Sequence, residues 1–107
     1  MSSQLTMAVS FLAAALASAN RVEEARAAYH GLVARAASEY VAPSLLALAA
    51  AAAGEREQAL VLAKRAWDER DPLFLFAARF NPTYRWFHNQ PEFAQILREM
   101  DDARREG

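Results

Sequence analysis

The sequence predicts an all-α fold assembled from a repeated helix-turn-helix unit. Three observations carry that expectation. The 107-residue chain is 54% hydrophobic with alanine dominant, and has only 3 glycines and 4 prolines, which favours helix because Ala is the best helix former and Gly and Pro the worst. Apolar residues recur at three- and four-residue steps, and β-branched alternation is nearly absent. Finally, Gly54-Glu55-Arg56-Glu57-Gln58-Ala59 repeats, 34 residues further on, the pattern of Asn20-Arg21-Val22-Glu23-Glu24-Ala25.

The first helix is expected over residues 5–19, with Leu5, Val9, Leu12 and Leu16 on one stripe and Phe11 beside it. Its other face is Ala and Ser, so it is close to apolar all round and expects neighbours on more than one side. Asn20 suits the N-cap of a second helix, with Glu23 three residues on approximating a capping box. That helix should run from about 21 to 37, with Val22, Ala25, Tyr29, Leu32, Val33 and Ala36 inward. Gly31 costs about 1 kcal/mol inside a helix, and close helix packing would explain it. His30 fits a surface position better than a catalytic one, since no partner residue is placed beside it.

Residues 38–42 connect to a third helix that starts at Pro43, harmless in a first turn, and stops at Gly54, a residue suited to positive φ. A fourth helix is expected over 55–70, with Ala59, Leu62, Ala63, Ala66 and Trp67 inward. Asp71-Pro72 and Asn81-Pro82 each join a capping side chain to a proline, predicting short helical turns near 73–79 and 82–88. A last helix from Pro91 places Phe93, Ile96, Leu97 and Met100 on one stripe, and Asp101 to Gly107 is expected to fray.

At the offset of 34, Leu12 meets Leu46, Ala13 meets Ala47, Glu23 meets Glu57 and Ala25 meets Ala59. Thirty-four residues is the tetratricopeptide period, and residues 6–37 and 40–71 resemble two such repeats. Ala13, Ala25, Ala47 and Ala59 stand where that family puts small residues at the crossing of its paired helices. Tyr40-Val41-Ala42-Pro43, Gly54-Glu55 with Ala59, Arg70-Asp71-Pro72 and Pro91-Glu92-Phe93 resemble the C-terminal repeat region of bacterial tetratricopeptide regulatory proteins. The resemblance implies one domain over 1–107: a short right-handed solenoid of two repeats, closed by a C-terminal cap of short helices over 72–104. It also implies a protein-binding scaffold function.

The family's groove is lined by first helices, which maps here to Met7, Ser10, Ala14, Ala17, Val41, Ser44, Leu48 and Ala51. That surface lacks the Lys, Arg and Asn side chains with which some relatives hold a peptide carboxylate, so an apolar peptide or helix is the expected occupant. The expected interaction surface is Met7, Ser10, Leu12, Ala14, Leu16, Val41, Ser44, Leu45 and Leu48. Covering by a second copy of the chain or by missing repeats is the bland alternative, because such stacks need three or more units, and a homodimer is expected on that ground. The aromatic residues invite a second function, a small-ligand sensor with a pocket among Trp67, Phe76, Phe80, Tyr84 and Trp86. Their bland reading is a core that closes the end of the stack.

Other classes are disfavoured. Net charge is −1, against the basic surplus of an electrostatic nucleic-acid binder. No cysteine is present, and the two histidines lie 58 positions apart. Neither a phosphate-binding glycine loop nor a nucleophile elbow occurs, so no enzyme activity, cofactor or metal is expected. Met7 to Ala19 ends in small residues like a signal peptide, but Met1 to Thr6 offers no basic side chain. The apolar runs fall short of the roughly 20 residues of a membrane span, and a cytoplasmic location is expected. The preference for Arg over Lys, with so much Ala, suggests a GC-rich bacterial genome.

Overall fold

The computed structural model describes residues 3–77 and 85–106, without the side chains of 3–7, 73, 76, 77 and 106. Helices run over α1 (Ser3–Ser18), α2 (Val22–Ala36), α3 (Pro43–Ala52), α4 (Arg56–Asp68), α5 (Pro72–Ala77), α6 (Arg85–His88) and α7 (Pro91–Glu106), and no strand occurs among the described residues. The Asn81-Pro82 turn lies outside the described residues.

The repeated stretch is the same turn built twice. Asn20 (φ 63°) and Gly54 (φ 80°) both adopt left-handed backbone. After α1, the Asn20 and Arg21 amides donate to the Ala17 and Leu16 carbonyls; after α3, the Gly54 and Glu55 amides donate to Ala51 and Ala50. These paired bonds are the Schellman closure, in which a left-handed residue lets two amides satisfy the last free carbonyls. Asn20 is therefore the residue that ends α1, and the expected N-cap role is corrected: Arg21 occupies the N-cap of α2 and no side chain caps it. Asn serves because its short polar side chain tolerates the left-handed region.

Arg70 closes α4 in the same way at φ 55°, with the Arg70 and Asp71 amides on the Trp67 and Ala66 carbonyls. A β-carbon makes that conformation costly, about 1 kcal/mol. Two side-chain interactions offset it: the Arg70 guanidinium donates to the Trp67 carbonyl at 2.6 Å and lies 3.6 Å from the centre of the Trp67 ring.

Asp71 joins the end of α4 to the start of α3. Its carboxylate accepts the Phe74 amide at 3.5 Å, capping α5 as the Asp-Pro pair predicts, and also the Ser44 amide at 3.0 Å. Ser44 is the second residue of α3, whose own N-cap, Ala42, has no side chain able to serve. One buried carboxylate thus caps α5 beside it and α3, whose Ser44 lies 27 residues earlier in the chain.

Helices α1, α2 and α3 each pack on the other two; α4 packs on α3, α5 and α7, and α6 on α7. Ala13, Ala25, Ala47 and Ala59 are all completely buried, as small residues at close helix crossings should be. Helix α3 is enclosed over most of its length: all positions from Pro43 to Ala50 are buried, and Ala51 and Ala52 at its end are half-buried. Helix α1 instead keeps an open face, with Leu12 53% exposed while Ser10 and Ala13 turn inward. In α2, Val22 and Val33 are exposed, and the inward set is Ala25, Tyr29 and Leu32. Gly31 is not a site of close approach, because a β-carbon there would meet nothing within 4 Å. His30 is exposed.

The C-terminal part departs from a cap of short helices alone, because α7 is 16 residues long. It continues through Asp101–Glu106 where fraying was expected, with an ion pair between Asp102 and Arg105 on its surface. It packs on α4, with Phe93 and Ile96 buried, and Glu99 accepts from Lys64 and from the Trp67 indole, both at 3.3 Å. Arg56 fastens the other end of the same seam, reaching Gln90 and Glu92 at 3.0 Å each.

Candidate functional site

Small residues that recur on α1 and α3 leave space between the two helices. Toward their C-terminal ends, Ala14 and Ala17 of α1 face Leu48, Ala51 and Ala52 of α3 across an opening that Phe11 borders. Side chains this short cannot fill the gap. The result is a groove of about 600 Å³, within the 300–1,000 Å³ typical of ligand sites. The stretch of α1 that lines it, residues 11–18, spans about 10 Å at the helical rise.

Helix α6 supplies the remaining wall, Arg85 and Trp86. Its position follows from Phe87, which is fully buried and packs on Phe93 with ring centres 5.3 Å apart. Successive helical residues point about 100° apart, so burying Phe87 turns its neighbours outward. Trp86 is braced from behind by the edge of Phe87 at 4.9 Å, and its carbonyl accepts from the Gln90 side chain at 3.3 Å. The groove therefore has an aliphatic floor, one half-buried indole, and one guanidinium at its rim.

The expected interaction surface divides into two. Ser10, Val41, Ser44, Leu45 and Leu48 are buried at 0 to 4% exposure, so only Leu48 of these borders the groove and none forms an open face. The reason is the central place of α3: periodicity identifies its apolar positions, but not that helices cover most of them. Ser10 explains its own burial by donating to the Leu45 carbonyl at 2.8 Å. The Ser44 hydroxyl, 34 residues on, is equally buried and has no hydrogen-bond partner among the described residues. Ala14 lines the groove, Leu16 is half-buried and Leu12 stands out in solvent. The Met7 side chain lies outside those described.

Of the expected aromatic pocket, the two residues whose side chains are described, Trp67 and Trp86, do not share a wall of the groove. The Trp67 indole is 6% exposed and committed to Glu99 and Arg70; it is not part of the groove wall. The side chains of Phe76, Phe80 and Tyr84 lie outside those described. Phe74, Phe87 and Phe93 are fully buried, with centres 6.0 Å apart for Phe74 and Phe93, and form a core where α5, α6 and α7 meet. Among the described residues of the aromatic set, Trp86 faces the groove, beside Ala14 and Leu48 of the other set. Sequence reasoning thus named residues from both sides of one site without seeing that they meet. It named Arg85, with Arg79 and His88, as a side chain able to add polarity to an aromatic pocket, but nothing in the spacing links residue 85 to residues 11–18.

Titrating groups with shifted affinity lie away from the groove. Burial, then the charge of Glu55, raises the Tyr29 phenol above its ordinary value of 10.0. Hydrogen bonding from Lys64 holds the Glu99 carboxyl below the usual glutamate range. Among the described residues no cluster of His, Asp and Glu side chains is arranged to hold a metal ion, and no helix is long and apolar enough to cross a membrane. No family model, curated protein or solved structure matches the chain.

Proposed function

We propose that the chain is a protein–protein interaction module of the tetratricopeptide type, which receives an apolar segment of a partner in the groove between α1, α3 and α6. The observation that carries this reading is the groove itself, about 600 Å³ of open space floored by alanines and backed by Trp86. Short side chains let a partner's main chain approach, and the indole offers a large apolar contact at low entropic cost. Support for the repeat type comes from the 34-residue recurrence of the left-handed turn and of buried alanines at the crossings. Binding rather than catalysis is the proposed role, in a bacterial regulatory or scaffold setting. Exposed Leu12, Val22 and Val33 on α1 and α2 support self-association of the module as a homodimer through the N-terminal end of the stack.

Two measurements test the two parts. Tryptophan fluorescence, from Trp86 in the groove and Trp67 away from it, is followed while a pool of end-blocked apolar peptides is added to the wild-type protein and to Ala51→Phe, which fills the groove without adding an indole. A spectral change in the wild type alone supports the reading; equal responses refute it. Light scattering over a concentration series, on wild type and Leu12→Asp, reads the dimer. Leu48→Asp is unsuitable because Leu48 is 2% exposed and a buried unpaired charge unfolds helices.

A second reading has one observation in its favour. The groove volume and the Arg85–Trp86 pair also suit a small amphipathic ligand, which would make the domain a sensor. A response of Trp86 to metabolites but to no peptide would select it.

A further inference from the structure

The chain pairs its cations with care. Arg21, Arg26, Arg35, Arg56, Lys64, Arg65 and Arg105 each reach a carboxylate. Arg98 and Arg70 donate to Gln95 and to the Trp67 carbonyl. Among the described residues, Arg85 and Arg104 are the exceptions, and Arg104 lies on the outer end of α7. Arg85 lies on the groove rim, and among the described residues no carboxylate joins the groove lining. Its helix is held in place by the buried Phe87 and the Gln90 bond to the Trp86 carbonyl. A guanidinium without a partner among the described residues, carried on a held helix beside a surface of alanine, leucine and indole, is complementary to an anion carried on an apolar body.

Resting on the peptide-groove reading above, we infer that the partner segment carries an acidic side chain among apolar residues, and that Arg85 receives this carboxylate while Trp86 and the alanine floor take its apolar neighbours. The length of the groove sets the size of the segment. About 10 Å accommodates about three extended residues at 3.3 Å each. The carboxylate belongs to a side chain within the segment, since a partner protein approaches this surface groove with a chain that continues past it. The indole and the guanidinium are adjacent in sequence, so the acidic residue and a bulky apolar residue are expected side by side in the segment.

The test uses the full chain, immobilised, and two peptide libraries mixed in equal amounts. All peptides are seven residues long, acetylated and amidated, and apolar at randomised positions; one library has Glu at the centre and the other Gln. Recovery is read by mass spectrometry on wild type, Arg85→Gln, Arg85→Lys and Ala51→Trp, with far-UV spectra to verify folding and Ala17→Phe as the replacement blocker if Ala51→Trp misfolds. Wild type should recover Glu peptides about three- to ten-fold over Gln peptides, as expected of a charge-assisted bond at a partly exposed site. The ratio should fall to about one on Arg85→Gln, be partly kept on Arg85→Lys, and shrink in high salt. A ratio of one on wild type, with Gln peptides still recovered above the blocked variant, overturns the acidic-segment inference and leaves the groove reading standing. Recovery of neither library above the blocked variant overturns both. A third library, apolar with a free C-terminus, overturns the side-chain assignment if it outcompetes the Glu library.

Discussion

Replacing Asp71 by alanine should destabilise the protein far more than the loss of one helix cap. The carboxylate is 4% exposed and accepts the Ser44 amide at 3.0 Å and the Phe74 amide at 3.5 Å. An N-cap truncation costs about 1 kcal/mol. The Ser44 amide is a heavier loss: it is buried at the start of α3, and a buried donor left without an acceptor costs about 1–3 kcal/mol. Asp71→Ala should therefore cost about 2–4 kcal/mol, a sizeable share of the 5–15 kcal/mol typical of a domain. Asp71→Asn keeps one carbonyl oxygen, enough for Ser44, and should cost about 1 kcal/mol. Urea unfolding followed by Trp67 and Trp86 emission gives both values, with a lower midpoint at unchanged slope. If Asp71→Ala falls within about 0.5 kcal/mol of wild type, the size expected of an ordinary surface change, the double cap is not a stabilising element.

Further outcomes follow from the turns, the serines and the tyrosine. Gly31→Ala should stabilise by about 0.5–1 kcal/mol, since the helix gains propensity and the new methyl meets open space; a fall in Tm would show a packing role for that glycine. At Gly54, with φ 80° and nothing within 4 Å of an added β-carbon, Asn should be tolerated as it is at residue 20, whereas Val should cost at least about 1–2 kcal/mol. Ser10→Ala should cost about 1 kcal/mol by orphaning its bond to the Leu45 carbonyl, while Ser44→Ala, which removes a buried hydroxyl without a partner among the described residues, should be neutral or stabilising. The raised Tyr29 phenol keeps its proton in the folded state at a pH where the unfolded chain has lost it. Stability should accordingly fall as pH rises above about 10, and Tyr29→Phe should flatten the fall in thermal melts.

Helix positions and the repeat were legible because both are written in local pattern. The offset of 34 between Asn20 and Gly54 marked a recurring turn, but asparagine caps helix starts and also tolerates left-handed backbone. Composition alone could not say which, and the φ of 63° decides it. The left-handed Arg70 had no sequence signal at all, since its stabilisation comes from stacking on a neighbour's ring. Apolar periodicity identified the faces of α1 and α3, not how many helices surround each. Hence the expected open surface at Ser10, Val41, Ser44 and Leu45 proved to be interior. The candidate site was half legible: Ala14, Leu48 and Trp86 were singled out, yet only the packing of Phe87 brings α6 to the side of α1 and α3. Arg85 acquires its interest from having no partner among the described residues, which no spacing reveals.

The most direct test of the groove is the alanine floor itself. With alanine methyls labelled with carbon-13, nuclear magnetic resonance spectra are taken before and after the apolar peptide pool is added. The groove reading predicts shifts at Ala14, Ala17, Ala51 and Ala52, with Ala27 and Ala34 on the exposed side of α2 unmoved. Shifts confined to α2, or no shifts at any alanine while the peptides bind, would contradict it.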